Sequence, residues 1–91
     1  MVSKKKIENE ERLNKSMITL KQIADSNITP RNIRKVVKDS MIVLQDTELS
    51  IGVRAANVIS MLDDVAQDPN MPSFARVTLW SAVSTLESIR E

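Results

Sequence analysis

Two X-Pro steps, Thr29-Pro30 and Met71-Pro72, stand 42 residues apart, and the sequence around them repeats at the same shift. Leu20 falls on Leu62, Ile23 on Val65, Ala24 on Ala66, Arg34 on Arg76, Val37 on Leu79, Met41 on Val83 and Leu44 on Leu86. A chain of 91 residues that copies itself once in this way builds two similar units, neither large enough to hold a core alone. The two must therefore bury their apolar faces against each other.

Each unit reads as a helical hairpin. Leu13, Met17, Leu20 and Ala24 recur at intervals of four, three and four, which holds them within about 60° on a helix turning about 100° per residue. The first helix is predicted from about Lys5 to Ser26, with Asn27 as its stop. Thr29 is expected to cap the second helix with Pro30 in its first position, and Ile28 and Ile33 are spaced for a hydrophobic staple. That helix carries Ile33, Val37, Met41 and Leu44 and ends near Gln45, after which Asp46 or Thr47 can cap the third. Ile51, Ala55, Val58, Ile59, Leu62, Val65 and Ala66 line the third, where Gly52 suggests a close helix approach. The run Asp68-Pro69-Asn70-Met71-Pro72 breaks the chain, and the fourth helix should run from Pro72 or Ser73 to about Arg90.

One Gly and 2% aromatic residues argue against an all-β chain and require an interior of aliphatic side chains. The expected fold is all-α: one domain over 1–91, a four-helix up-and-down bundle built from two similar hairpins. Residues 1–6 are a candidate disordered start. HEAT-like helix pairs are the alternative, since the period fits and Val53-Arg54-Ala55-Ala56 has that character. A solenoid generally needs three or more repeats, which favours closure into a bundle.

The same composition excludes much chemistry. Without Cys or His there is no thiolate or imidazole metal site, no disulfide, and no His-activated nucleophile. The expectation is a non-enzymatic protein without a cofactor. Glu8, Glu10 and Glu11 follow the basic start at once, so no signal peptide is read, and no stretch is apolar enough for a membrane span. A cytoplasmic location is expected.

The net charge of +1 hides a division. Through Lys38 the chain carries ten cations against four acids, and from Asp39 onward three cations against eight acids. The plain reading sets basic and acidic helices side by side; the sharper one gives the first half an anion partner. Arg31, Arg34, Lys35 and Lys38 fall within about 100° of arc on the second helix, a basic face that could meet an acidic protein or, as the alternative function, nucleic acid. On the fourth helix Phe74, Val77 and Trp80 lie opposite the core stripe of Ala75, Leu79, Ala82, Val83, Leu86 and Ile89. They are either corners of the core or anchors for a second copy. Ile18, Ile23 and Met61 also fall off their helices' main stripes, which adds to the case for a homo-oligomer. Asp63, Asp64 and Asp68 crowd the end of the third helix, where the dipole disfavours them, and call for a cation: a Lys or Arg of the first two helices, or a divalent metal. Ser40, Ser60, Ser81 and Ser84 read as small positions that let helices approach.

Thr29-Pro30-Arg31-Asn32-Ile33-Arg34, Val53-Arg54-Ala55-Ala56, Asp68-Pro69-Asn70-Met71-Pro72, and Ala75-Arg76 followed by Leu79-Trp80 and Leu86-Glu87 resemble a family of small archaeal proteins, uncharacterised protein family 0147. The likeness covers about Leu13 to Ile89. It implies an archaeal cytoplasmic protein with a four-helix up-and-down fold, and no activity or functional residues come with it. The chain's own residues therefore point to an interaction or structural module that self-associates.

Overall fold

A computed structural model of the chain describes residues 3–91. Four helices follow one another: α1 (Lys4–Ala24), α2 (Arg31–Leu44), α3 (Ile51–Val65) and α4 (Ser73–Glu87). They form a rod of 45 × 21 × 19 Å. Contacts run around a ring, α1 on α2, α2 on α3, α3 on α4, and α4 back on α1, the last being the most extensive. That closure makes the molecule a bundle rather than an open stack of HEAT-like pairs.

The 42-residue repeat is visible in the interior. Leu20 and Leu62, Ile33 and Ala75, and Val37 and Leu79 are matched pairs fully shielded from solvent, as are Leu44 and, but for a trace, Leu86. Ile23, expected off the α1 stripe, is fully buried as well, while Leu13, Met17 and Met41 pack against the core from half-buried positions. Met61 is half-buried on α3.

The three connections are built alike. A tight turn is closed by the amide of Thr29 on the Ser26 carbonyl (3.3 Å), of Leu49 on Asp46 (3.1 Å) and of Met71 on Asp68 (3.1 Å). The next residue is extended in each case: Pro30 (φ −54°, ψ 147°), Ser50 (φ −63°, ψ 156°) and Pro72 (φ −60°, ψ 148°). Proline suits that place because its ring fixes φ near these values and no amide proton is needed there. Its carbonyl then accepts the amide of Arg34, Arg54 or Arg76, four residues on, at 3.0 to 3.1 Å.

Several local expectations change. Pro30 and Pro72 are themselves the cap residues, one place earlier than the first helical position, so Thr29 makes no cap bond and lies buried. Ile28 is 70% exposed, and the staple with Ile33 is not formed. Ser50 caps α3 by accepting the Val53 amide at 3.3 Å, while Asp46 accepts the Glu48 amide at 3.0 Å inside the turn. The first helix stops at Ala24 with Asp25 as its cap, and no described residue has a positive φ, so Asn27 is not a left-handed stop. Helix α4 ends at Glu87, three residues early, although Ile89 still reaches the core. Lys4, Lys5 and Lys6 belong to α1, capped by Ser3 through the Lys6 amide at 3.1 Å; only Met1 and Val2 of the expected disordered start lie outside the described residues.

Candidate functional site

Phe74, Val77 and Trp80 are 39%, 65% and 54% exposed, so they are surface residues and not core corners. They occupy an outward arc of α4 because Ala75, Leu79, Ala82, Val83 and Leu86 take the inward one. Ser81 and Ser84 lie on that outward arc, and together with Ser60 of α3 they are exposed; only Ser40 of the expected close-packing serines is buried. Between Ser73 and Leu86 the helix has one charged residue, Arg76. Its guanidinium is drawn off to the end of α3, where Nε donates to the Ala66 carbonyl (3.3 Å) and Nη2 to the Asp68 carbonyl (3.1 Å). The outward face of α4 is thus apolar or neutral over three turns.

Arg76 is one of a set that the sequence did not disclose. Arg54 of α3 donates to the Leu44 carbonyl at the end of α2 (3.0 Å), and Arg12 of α1 to the Ser88 carbonyl just past α4 (3.1 Å). Each arginine thereby satisfies carbonyls that a helix end leaves without an intrahelical partner, and adds a cation at the negative end of the dipole. Arg12 closes the ring between the first helix and the last. Buried Asn9 reinforces that closure: its Nδ2 donates to the Arg90 carbonyl, and its Oδ1 accepts the Arg90 amide at 3.2 Å. A usable signal existed in the spacing of Arg12, Arg34, Arg54 and Arg76 by 22, 20 and 22 residues.

On α2, Arg31, Lys35 and Lys38 are exposed and Arg34 is half-buried at the inner edge, and together they line a shallow concavity. Lys35 pairs with Asp39 at 3.1 Å on the same helix. All four ion pairs among the described residues are of this i, i+4 kind on α1 or near its end and on α2. The basic and acidic helices are neighbours, α2 packing on α3, but no ion pair joins them among the described residues.

The acidic trio is resolved differently from the expectation. Asp68 accepts the Asn70 amide (2.8 Å) and Asn32 Nδ2 (2.9 Å) with its two oxygens, so an amide of α2, not a cation of α1 or α2, meets it. Asp63 and Asp64 are exposed without an ion pair, and no group of three acidic side chains is placed to hold a metal among the described residues. No helix there is long and apolar enough to cross a membrane.

At the opposite end of the bundle the Gly52 amide donates to Glu91 Oε1 at 2.8 Å. That bond, with the Ser50 hydroxyl and the charges of Lys5 and Arg54, holds the Glu91 carboxyl below the usual glutamate range. Gly52 thus marks a close approach, though to a side chain and not to another helix.

The chain is similar to proteins of several archaea that are each called UPF0147 protein. A relative from Saccharolobus islandicus is 44% identical over 84 residues, covering 92% of this chain and 94% of that one. One from Aeropyrum pernix is 42% identical over 84 residues, covering 92% of each. A crystal structure of a protein from Thermoplasma acidophilum superposes with a TM-score of 0.85 at 35% identity, covering 91% of this chain and 98% of that one. The model of the uncharacterised protein family UPF0147 matches residues 1–89, and the chain belongs to that family.

Proposed function

We propose that this protein is a small non-enzymatic interaction module that self-associates through α4, Phe74, Val77 and Trp80 of one copy packing on the same residues of a second. The observation that carries this reading is the charge-free outward face of α4, with Phe74 and Trp80 at the two ends of an apolar strip just under two turns long. Interface centres are depleted in charge and enriched in aromatics, and Trp is a favoured anchor. The occupant follows from what the rest of the surface offers. The outer sides of α1 and α2 carry exposed Lys and Arg, and that of α3 carries Asp63 and Asp64. Docking α4 on α1, on α2 or on the last turns of α3 would strip water from charge, whereas α4 on a second α4 strips it from none. A two-fold axis then makes one modest patch serve twice.

One helix face lies at the small end of stable interfaces, so the association should depend on concentration. Light scattering should give twice the chain mass at high concentration for the parent. Trp80→Ala should give a single chain, with unchanged helicity by circular dichroism. A single-chain mass for both proteins at every concentration would overturn the proposal.

A further inference from the structure

Arg34, Arg54 and Arg76 each stand fourth in their helix and Arg12 lies further along α1, and three of these four arginines are engaged on the helix that precedes theirs around the ring. Arg54 stands ten residues after Leu44 and Arg76 ten after Ala66, the carbonyls they bind. Arg34 stands ten residues after Ala24, at the end of α1, and its amide makes the same bond to the residue four places back as theirs do. Yet its guanidinium makes no hydrogen bond and no ion pair among the described residues, and its Nε is shielded from water without an acceptor. The Nε of Arg54 is likewise unpartnered, but that arginine is fastened through Nη1. Arg34 alone of the set has neither terminal Nη group engaged among the described residues.

Its neighbours share the condition. Arg31 and Lys38 are exposed and meet no carboxylate among the described residues, and Lys35 has only Asp39. Four cations against one acid line a single shallow concavity over about 10 Å of helix. Like charges three and four residues apart destabilise a helix by a few tenths of a kcal/mol per pair, and an external polyanion reverses the sign of that interaction.

We infer that this face of α2 binds the phosphate backbone of duplex DNA, with Arg34 as the inner clamp and Arg31, Lys35 and Lys38 following the strand. A guanidinium fork meets a phosphate through two parallel bonds, and cations recurring each helical turn can engage successive phosphates. The face bears no aromatic residue on which bases could stack, which favours a duplex over a single strand. It is a helix face, which the major groove of DNA admits and the narrow groove of duplex RNA does not. The binding follows the backbone and is indifferent to sequence. Helix α2 lies diagonally across the ring from α4, so the inference is independent of self-association, and Trp80→Ala should still bind.

The test is fluorescence anisotropy with a labelled 20-base-pair DNA duplex at 50 and 200 mM salt. Neutralising three or four phosphates predicts a loss of affinity of roughly 40- to 150-fold across that interval. Arg34→Gln and Lys38→Gln should each weaken binding and reduce the logarithmic salt slope by about 1. Arg34→Lys, which keeps the charge and removes the fork, should bind more weakly with the slope preserved, and serves if Arg34→Gln loses helicity. No binding at 50 mM salt, a flat salt dependence, or unchanged binding by Arg34→Gln and Lys38→Gln would each overturn the inference. So would competition by polyglutamate as effective as by unlabelled duplex, which would make the face a reader of acidic protein.

Discussion

The two hairpins share an interior and differ at their surfaces. Leu20 and Leu62, Val37 and Leu79, and Leu44 and Leu86 hold matched places in the core, and Pro30 and Pro72 open α2 and α4 with nearly the same backbone angles. Outside, α2 is basic and α4 is neutral and apolar. Arg34 and Arg76 correspond residue for residue, yet the Arg76 guanidinium fastens the end of α3 while that of Arg34 holds nothing among the described residues. Ring closure constrains the inward positions of both halves equally, because each fills the space the other leaves. Outward positions escape that constraint, so the places where the copies diverge are the places where contact with other molecules is to be sought.

The equivalence of the interiors carries the largest expected effect. Leu20→Ala and Leu62→Ala should each cost about 2 to 5 kcal/mol, with similar values because both side chains are fully enclosed. Urea denaturation measures this directly. A loss below about 1 kcal/mol at one position and several at the other would show that one hairpin carries the core and the other leans on it.

Next comes the divergence at the arginines. Arg76→Ala removes two charge-assisted bonds to the carbonyls of Ala66 and Asp68 and should cost about 1.5 to 3 kcal/mol. Arg34→Ala should stay within about 0.5 kcal/mol, since no bond is lost. Equal losses in the same denaturation experiment would mean that Arg34 is fastened after all, and would remove the ground for assigning it an external partner.

A smaller contrast lies in the turns. The residue that closes the turn is Thr29 in the first connection, Leu49 in the second and Met71 in the third; Thr29 and Met71 are buried and Leu49 half-buried, and Thr29 Oγ1 has no partner among the described residues. Thr29→Val keeps the shape and removes the unmet hydroxyl, so the midpoint of thermal unfolding should rise, by an amount equivalent to about 1 kcal/mol. A fall would place an acceptor beside that hydroxyl.

The sequence discloses what periodicity encodes and little of what it does not. Helix positions, core stripes and the two proline-opened rods are legible because burial repeats every three or four residues and proline fixes a dihedral wherever it stands. The exposure of Phe74, Val77 and Trp80 is not legible in the same way, since a helix in a ring has two flanks that periodicity does not tell from its outer face. Helix α3 is capped by Ser50, three or four residues later than the cap signals of Asp46 and Thr47 suggest, because the turn uses Asp46 internally. What Arg12, Arg54 and Arg76 hold is not legible in the sequence, because their partners are backbone carbonyls, which every residue has and no sequence marks. Their regular spacing was the one trace, and it becomes meaningful only once the connections are known to be alike.

The middle connection offers the finest distinction and the least energetic one. It places Ser50 and Gly52 where the outer connections place Pro30 and Asn32, and Pro72 and Phe74. A Cβ built on Gly52 would come within 2.8 Å of Glu91 Cδ and 3.0 Å of its Cγ, but these belong to an exposed, flexible side chain that can swing aside. Gly52→Ala should therefore gain part of the helix preference of alanine, less than about 1 kcal/mol, while detaching the carboxylate. The detachment is readable by pH. Because the Gly52 amide lowers the folded-state pKa of Glu91, the ionised contact contributes stability above the ordinary glutamate value and loses it as pH falls through the lowered one. In an NMR titration the Glu91 carboxyl of Gly52→Ala should move back up toward the ordinary glutamate range, while the parent titrates lower. Identical midpoints would show that Ser50 and the nearby cations hold the carboxylate without the glycine, and the middle connection would then need no glycine for that contact.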